Sequence, residues 1–338
     1  MRNPETPPPT MNDLQDLPLT QRAVIEAYFD CPIDQLTTRQ PLYGHMAYRR
    51  RIITAPDGLP AMSIGQCTTP RQAAQAGRQV FAKIQLGDEH YSDDAYGSAH
   101  QHALSDQRHL DHEARALDYL NQVIPELVPQ FQTYQAGVLL SEYLPGRRWE
   151  APRDPAQFNQ YVKDILDAFD ILQNTPPPST WPQSSLDGTL TWLIQNNWSQ
   201  INFATFPEKY QSALQQLCDQ GETAIARLMS SPLRLTHFDS QANNIGWHPE
   251  FGARLVDPSW LGIGPANADA TMFLIDLAQS GHDVSDFMDR FNPDYAWLRA
   301  GNWLLRSTIP PVAAVGNAPV RQRQLKAALT TLRLLNQI

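Results

Sequence analysis

Apolar positions recur at helical spacing in several stretches of the chain. Val24, Ile25, Tyr28 and Phe29 predict a short helix over 21–29, and Leu110, Ala114, Leu117 and Leu120 predict a longer one over 106–123. Tyr161, Ile165, Ala168, Phe169 and Leu172 predict another over 158–172, which the Pro176-Pro177-Pro178 run stops. Further helical stretches follow: an amphipathic one over 210–229, an apolar one over 271–278, and closing helices rich in Leu and Ala over 295–306 and 320–336. Strand texture is concentrated earlier, over 47–54, 61–66, 79–85, 131–134 and 137–144. A last island of it surrounds a Pro- and Gly-bearing turn at 248–252, where the apolar runs 245–247 and 253–256 predict a tight antiparallel hairpin. The fold class is therefore α+β, with a small antiparallel sheet first and a mainly helical half after it.

Composition narrows the setting. The chain has 338 residues, 42% hydrophobic and 18% charged, enough for two lobes. The Pro-rich start, with Pro7-Pro8-Pro9, predicts a mobile arm over 1–20; Pro145-Gly146 ends a strand and marks a boundary between lobes at 21–145 and 146–338. No apolar run approaches the roughly 18 residues a membrane helix needs, and Met1-Arg2-Asn3-Pro4 opens no secretory signal, so no membrane partner is expected. Three scattered cysteines, Cys31, Cys67 and Cys218, argue against a disulfide framework and fit a reducing cytoplasm. A net charge of −9 disfavours nucleic-acid binding through a broad basic surface.

The candidate chemistry lies at the open end of the hairpin. One strand leaves Asn244 and the other returns to Asp257, which should bring a carboxamide and a carboxylate roughly 5 Å apart at Cα. Hard oxygen donors gathered in this way suit Mg²⁺, which takes one or two carboxylates and fills its other positions with water and phosphate oxygens. Asp239, five residues before Asn244, is a second carboxylate on the loop entering the hairpin, where it can orient a hydroxyl nucleophile and relieve it of its proton.

The pattern His-x-Asp-x-x-x-x-Asn of His237, Asp239 and Asn244, followed by an apolar strand ending in Asp257, resembles the catalytic core of the aminoglycoside phosphotransferase and choline kinase family. The resemblance implies a two-lobed protein-kinase-like fold and transfer of the ATP γ-phosphoryl group, GTP being a possible donor, to a small-molecule hydroxyl acceptor. It implies that Asp239 is the catalytic base, that Asn244 and Asp257 ligate Mg²⁺ and that His237 braces the catalytic loop. Lys83, on the alternating strand 79–85, resembles the phosphate-binding lysine of such a lobe. Glu113 lies on the apolar face of the 106–123 helix and is expected to hold it. The segment from Glu142 to Leu144 resembles the hinge whose backbone meets the adenine edge. Asp269 resembles the carboxylate that opens a helix after a Gly-rich segment and supports the catalytic loop.

Some positions depart from the pattern. Gln241 stands where many members have a second histidine, and Phe238 where many have glycine. Pro258 follows Asp257 where protein kinases have Phe-Gly, which argues for a small-molecule kinase. Only Tyr43-Gly44-His45-Met46 and Ile64-Gly65-Gln66 offer themselves as a phosphate-covering loop, and neither is a Gly-rich signature.

Other readings stand beside this one. A nucleotide-binding pseudokinase would keep the same residues without turnover. A stretch between strand and helix, 87–105, is rich in histidine and acid (His90, Asp93, Asp94, His100, His102) and continues to His109 and His112, a possible transition-metal sensor that matches no established ligand spacing. Aminoglycoside, sugar, amino alcohol and amino acid acceptors all remain open, as does the oligomeric state.

Overall fold

The computed structural model describes residues 13–39, 49–56, 79–87, 99–309 and 318–335, and the chain divides into two units, Met1–Pro145 and Gly146–Ile338. In the first unit α1 (Leu19–Phe29) precedes β1 (Thr37–Arg39), β2 (Arg49–Thr54) and β3 (Gln79–Ile84). Then come α2 (Ala99–Val123), β4 (Phe131–Gln135) and β5 (Val138–Glu142). Among the described residues these strands form one antiparallel sheet in the order β1-β2-β3-β5-β4. The β4–β5 turn is two residues long, Ala136 at φ 48° and Gly137 at φ 74°, the double positive φ that matches the twist of a tight hairpin. Ile25 and Phe29 of α1 pack with Ile53, Val80, Ala82, Ile84, Val138 and Leu140 of the sheet.

Two expectations for this unit change. The mobile arm over 1–20 does not extend to its end: Asp13–Asp16 forms a 3₁₀ turn that buries Leu14 and Leu17 in the same core as α1. Two leucines three apart suffice to hold a short turn when a helix lies beside them. The helix predicted over 106–123 begins at Ala99, so the stretch 99–105 is helix and not insertion loop. The expected strand 61–66 and both phosphate-loop candidates, 43–46 and 64–66, lie outside the described residues, as do residues 1–12 of the arm.

In the second unit Asp154 caps α3 (Pro155–Asn174) by accepting the Gln157 N–H at 2.9 Å, with Pro155 at the first helical position. Its predicted stripe, Tyr161 to Leu172, is buried. After α4 (Gln183–Leu186), α5 (Gly188–Gln195) and α6 (Gln211–Ser230) come β6 (Leu233–Thr236), β7 (Ile245–His248), β8 (Gly252–Leu255) and β9 (Gly262–Pro265). The chain closes with α7 (Ala268–Gln279), α8 (Pro293–Thr308) and α9 (Ala318–Leu335). β7 and β8 form the predicted hairpin, while β9, a strand the Gly-rich pattern concealed, pairs with β6.

Every residue of α8 from 295 to 302 is buried, so this part of the helix is enclosed on all sides. Beside it Trp198 fills a slot between two helices: a Cβ on Gly221 of α6 or on Gly301 of α8 would fall about 2 Å from its ring, at 2.0 and 2.1 Å. No helix among the described residues is long and apolar enough to cross a membrane, and Cys31 and Cys218 are free thiols.

Candidate active site

The predicted motif becomes a loop between β6 and β7. Thr236 is held in the β6–β9 pair, and the chain then turns through Phe238 at φ 66°, a left-handed conformation that a bulky side chain adopts only at some cost. The Phe238 ring offsets that cost by lying on β9, where Gly264 has no side chain: a Cβ there would fall 2.6 Å from Phe238 Cζ. This explains how phenylalanine occupies a position where glycine would relax the backbone.

Beyond the turn, the Asp239 carboxylate receives two carboxamide groups. Asn244 Nδ2 donates to Asp239 Oδ2 at 2.8 Å and to the Asp239 carbonyl at 2.9 Å, and Gln241 Nε2 donates to Oδ1 at 2.8 Å. With its amide hydrogens turned to Asp239, Asn244 leaves its carbonyl oxygen Oδ1 as the acceptor available to a cation. The hairpin register pairs Asn244 with Val256, whose N–H donates to the Asn244 carbonyl at 2.9 Å. Asp257 is thus one residue past the expected partner, and it leaves the ladder in a left-handed conformation at φ 60°. A carboxamide oxygen and one carboxylate are a donor set that suits Mg²⁺, a cation content with few protein ligands.

His237 ties the loop to the hairpin. Its ring bonds the Val256 carbonyl through Nε2 at 2.9 Å and accepts the Asp239 N–H through Nδ1 at 3.3 Å, which assigns the proton to Nε2. Asp269, at the start of α7, holds the same loop from beneath. Its carboxylate accepts the N–H of His237 at 2.7 Å, the N–H of Phe238 at 2.9 Å and the Ser240 hydroxyl. The donors it satisfies belong to the β6–β7 loop and not to its own helix. Burial pushes the Asp269 carboxyl above the usual carboxylate range, against the opposing pull of His237 and of these hydrogen bonds.

The other sequence-predicted residues belong to the first unit. Lys83 and Glu113 form the expected ion pair, with Nζ 2.7 and 2.6 Å from the two carboxylate oxygens and each side chain 3% exposed. The Lys83 side chain is thereby buried, which breaks the alternation of β3. The Glu142 N–H donates to the Gln130 carbonyl at 2.8 Å and the Glu142 carboxylate accepts the Gln130 N–H at 3.1 Å, so this amide is already used inside the sheet; Leu144 is buried. Of the histidine-rich stretch, His90, Asp93 and Asp94 lie outside the described residues. Among those described, no cluster of three His, Cys, Asp or Glu side chains could hold a metal ion.

Three residues of the site escaped the sequence reading. Gln241 and Ser240 reach their partners through the fold of the loop, which spacing alone does not show. Asp276 accepts the Ala242 N–H at 3.0 Å from the third turn of α7. A signal for it existed: Asp269 and Asp276 are seven residues apart, on one face of an otherwise apolar helix.

No protein-family model matches the chain, and no curated protein matches it in sequence. In structure it is similar to spectinomycin phosphotransferase APH(9)-Ia, solved in complex with ADP and spectinomycin, with TM-score 0.55 and 12% identity over 94% of this chain and 98% of that one. It is also similar to the choline kinase LicA from Streptococcus pneumoniae, with TM-score 0.51 and 11% identity over 91% of this chain and 98% of that one. LicA in complex with AMP matches at TM-score 0.50 and 12% identity over 88% of this chain and 93% of that one. At this identity the likeness is one of fold, and the fold is the protein-kinase-like fold of small-molecule kinases.

Proposed function

We propose that this protein is an ATP-dependent phosphotransferase acting on a hydroxyl of a small molecule. The observation that carries the reading is the hydrogen-bonded pair of Asp239 and Asn244, on a loop fixed by His237 and Asp269. A carboxylate whose orientation is set by two amide donors is suited to positioning a hydroxyl, and phosphoryl transfer depends on positioning and electrostatics more than on covalent chemistry. In the reaction the acceptor oxygen bonds to the γ-phosphorus as the bond from that phosphorus to the β–γ bridging oxygen breaks. ADP leaves with that electron pair, and the hydroxyl proton passes to Asp239.

Asn244 and Asp257 would hold Mg²⁺, which when bound neutralises charge on the β- and γ-phosphate oxygens. Lys83, held by Glu113, would meet the α- and β-phosphates. The backbone of residues 143 and 144 would contact the base, since the Glu142 amide is engaged. The free thiols of Cys31 and Cys218 agree with a reducing, cytoplasmic setting.

The test is calorimetric titration of Mg²⁺-ATP and Mg²⁺-GTP, followed by coupled ADP release over sugars, amino sugars, amino alcohols and hydroxy acids. Asp257→Ala is expected to abolish nucleotide binding, and Asp239→Ala to lower kcat by about 10²-fold or more with nucleotide binding retained. Nucleotide binding by the wild type without turnover of any acceptor would favour the pseudokinase. No nucleotide binding at all would overturn the reading.

A further inference from the structure

In the second unit the side chain of Arg299 is largely buried and has no paired counter-ion among the described residues. Arg299 lies in the middle of the buried run of α8 and is 8% exposed. Its Nε is sealed and unpartnered, and among the described residues none of its nitrogens has a hydrogen-bond or ion-pair partner. Its guanidinium carbon stacks over the face of Trp303, 4.7 Å from the ring centroid. Such stacking orients a guanidinium but leaves all of its N–H donors unused. A buried charge without a counter-ion is among the most unfavourable arrangements a fold can hold.

One turn earlier on the same face is Tyr295, wholly buried, whose hydroxyl also has no partner among the described residues. Its ring lies 6.5 Å from that of Phe238, the residue preceding Asp239. Burial raises the phenol's pKa, with Arg299 opposing the rise and the negative charges of Asp269 and Asp239 adding to it, so its surroundings include Asp269 at the start of α7, Asp239 on the β6–β7 loop and the Arg299 cation. Asn292 caps the helix through the Tyr295 N–H at 3.0 Å, which fixes the position of this face.

We infer that Arg299 and Tyr295 form an anion-binding subsite beside the catalytic loop, and that the acceptor carries a carboxylate or phosphate in addition to the hydroxyl it offers. The subsite stands on the unpaired donors alone, whereas the word acceptor rests on the phosphotransferase reading. A quaternary ammonium or polyamine acceptor would find a like charge here. A hydroxy acid or a hydroxyalkyl phosphate would supply the missing counter-ion, and Arg299 would accept it as a planar fork of donors.

The experiment uses the full chain, glycerate and glycerol 3-phosphate as anionic probes, and glycerol, ethanolamine and choline as neutral and cationic ones. Thermal unfolding is followed at matched ionic strength for wild type, Arg299→Leu, Arg299→Lys and Tyr295→Phe. At least one anionic probe is expected to raise the wild-type Tm by about 1–3 °C. The rise should vanish in Arg299→Leu and return in part in Arg299→Lys. Without any probe, Arg299→Leu should not melt below wild type, because it removes an uncompensated buried charge; a merely structural arginine would lower Tm when lost.

In the ADP-release assay, the anionic acceptor should be preferred to glycerol. Arg299→Leu should raise its KM by about 30-fold or more while the KM for ATP stays within about threefold. Stabilisation by the anions that is equal in wild type and Arg299→Leu, or preferred turnover of choline or ethanolamine, would overturn the inference and leave the phosphotransferase standing. Arginine-dependent stabilisation with no ADP release on any acceptor would do the reverse, sustaining the subsite and removing the phosphotransferase.

Discussion

Asp239 holds an amide donor on each carboxylate oxygen, one from Asn244 and one from Gln241. The two donors divide the work, since the Asn244 side chain also bonds the Asp239 carbonyl while the Gln241 side chain bonds only the carboxylate. Gln241→Ala should therefore lower kcat by about 3–10-fold through loss of one orienting hydrogen bond, with the KM for ATP unchanged, measured by steady-state ADP release. An unchanged kcat would mean that the Asn244 bond alone orients the carboxylate. The motif residues were legible because four polar positions keep fixed spacings around a hairpin. Gln241 was legible only as a departure, a glutamine where histidine is common, since a comparison of letters does not reveal that a longer side chain two positions on folds back onto the aspartate. Asn244 and Asp257 were expected side by side, and the register is one residue different because the turn pairs His248 with Gly252, which brings Val256 and not Asp257 opposite Asn244.

At the scale of elements, α7 clamps the β6–β7 loop at two points. Asp269 takes the amides of His237 and Phe238 and the Ser240 hydroxyl, and Asp276, two turns along, takes the amide of Ala242. Arg323 of α9 in turn pairs with Asp276 at 3.1 Å. Asp269→Asn places an amide donor among donors that need an acceptor and should destabilise the protein by about 3 kcal/mol, read by urea unfolding. Asp276→Asn should lower stability by about 1 kcal/mol or less. Arg323→Ala, at a half-exposed pair, should change it by less than about 0.5 kcal/mol. Equal losses for all three would show that the clamp is not graded by burial.

Most helices were legible from apolar spacing and from stops such as Pro176. The first two turns of α2 were not, because Ala99 to Ser105 is rich in polar residues that accept a helix without announcing one. β9 was hidden for the opposite reason: a strand reading Gly-Ile-Gly-Pro has too few side chains to alternate.

For the whole molecule, the telling feature is that each unit has a hydrophobic core of its own. One is built from Leu14, Ile25, Phe29 and the five-stranded sheet, the other from α5, α6, α8, α9 and Trp198. Two cores without shared residues can melt separately. Scanning calorimetry should accordingly give a calorimetric enthalpy well above the van't Hoff enthalpy, and Phe29→Ala should lower the temperature of only one component. A ratio near unity would show that the chain unfolds as a single cooperative unit. The division was legible in the change of texture at Pro145-Gly146, since period-two and period-3.6 patterns hardly mix in this chain. Arg299 was not legible at all: in the sequence it is one arginine on a closing helix rich in Leu and Ala, and only the burial of 295–302 turns it into a charge with no paired counter-ion among the described residues.

Phe238 and Gly264 amount to one choice written at two positions. While the phenylalanine ring rests on β9, an alanine at 264 is closed to the chain; were position 238 glycine, the two ring atoms would be gone and the next neighbour is Thr236 Oγ1, at 3.0 Å, a rotating hydroxyl that can yield. Gly262 would gain no such freedom, because the Leu186 carbonyl would remain 2.5 Å from its Cβ. The two glycines of one short strand thus answer to different gatekeepers, and substitutions have to arrive in order. Position 238 must change before 264 can, and 262 waits for a shift of backbone elsewhere. A drifting lineage that keeps phenylalanine here has its next steps on β9 decided in advance.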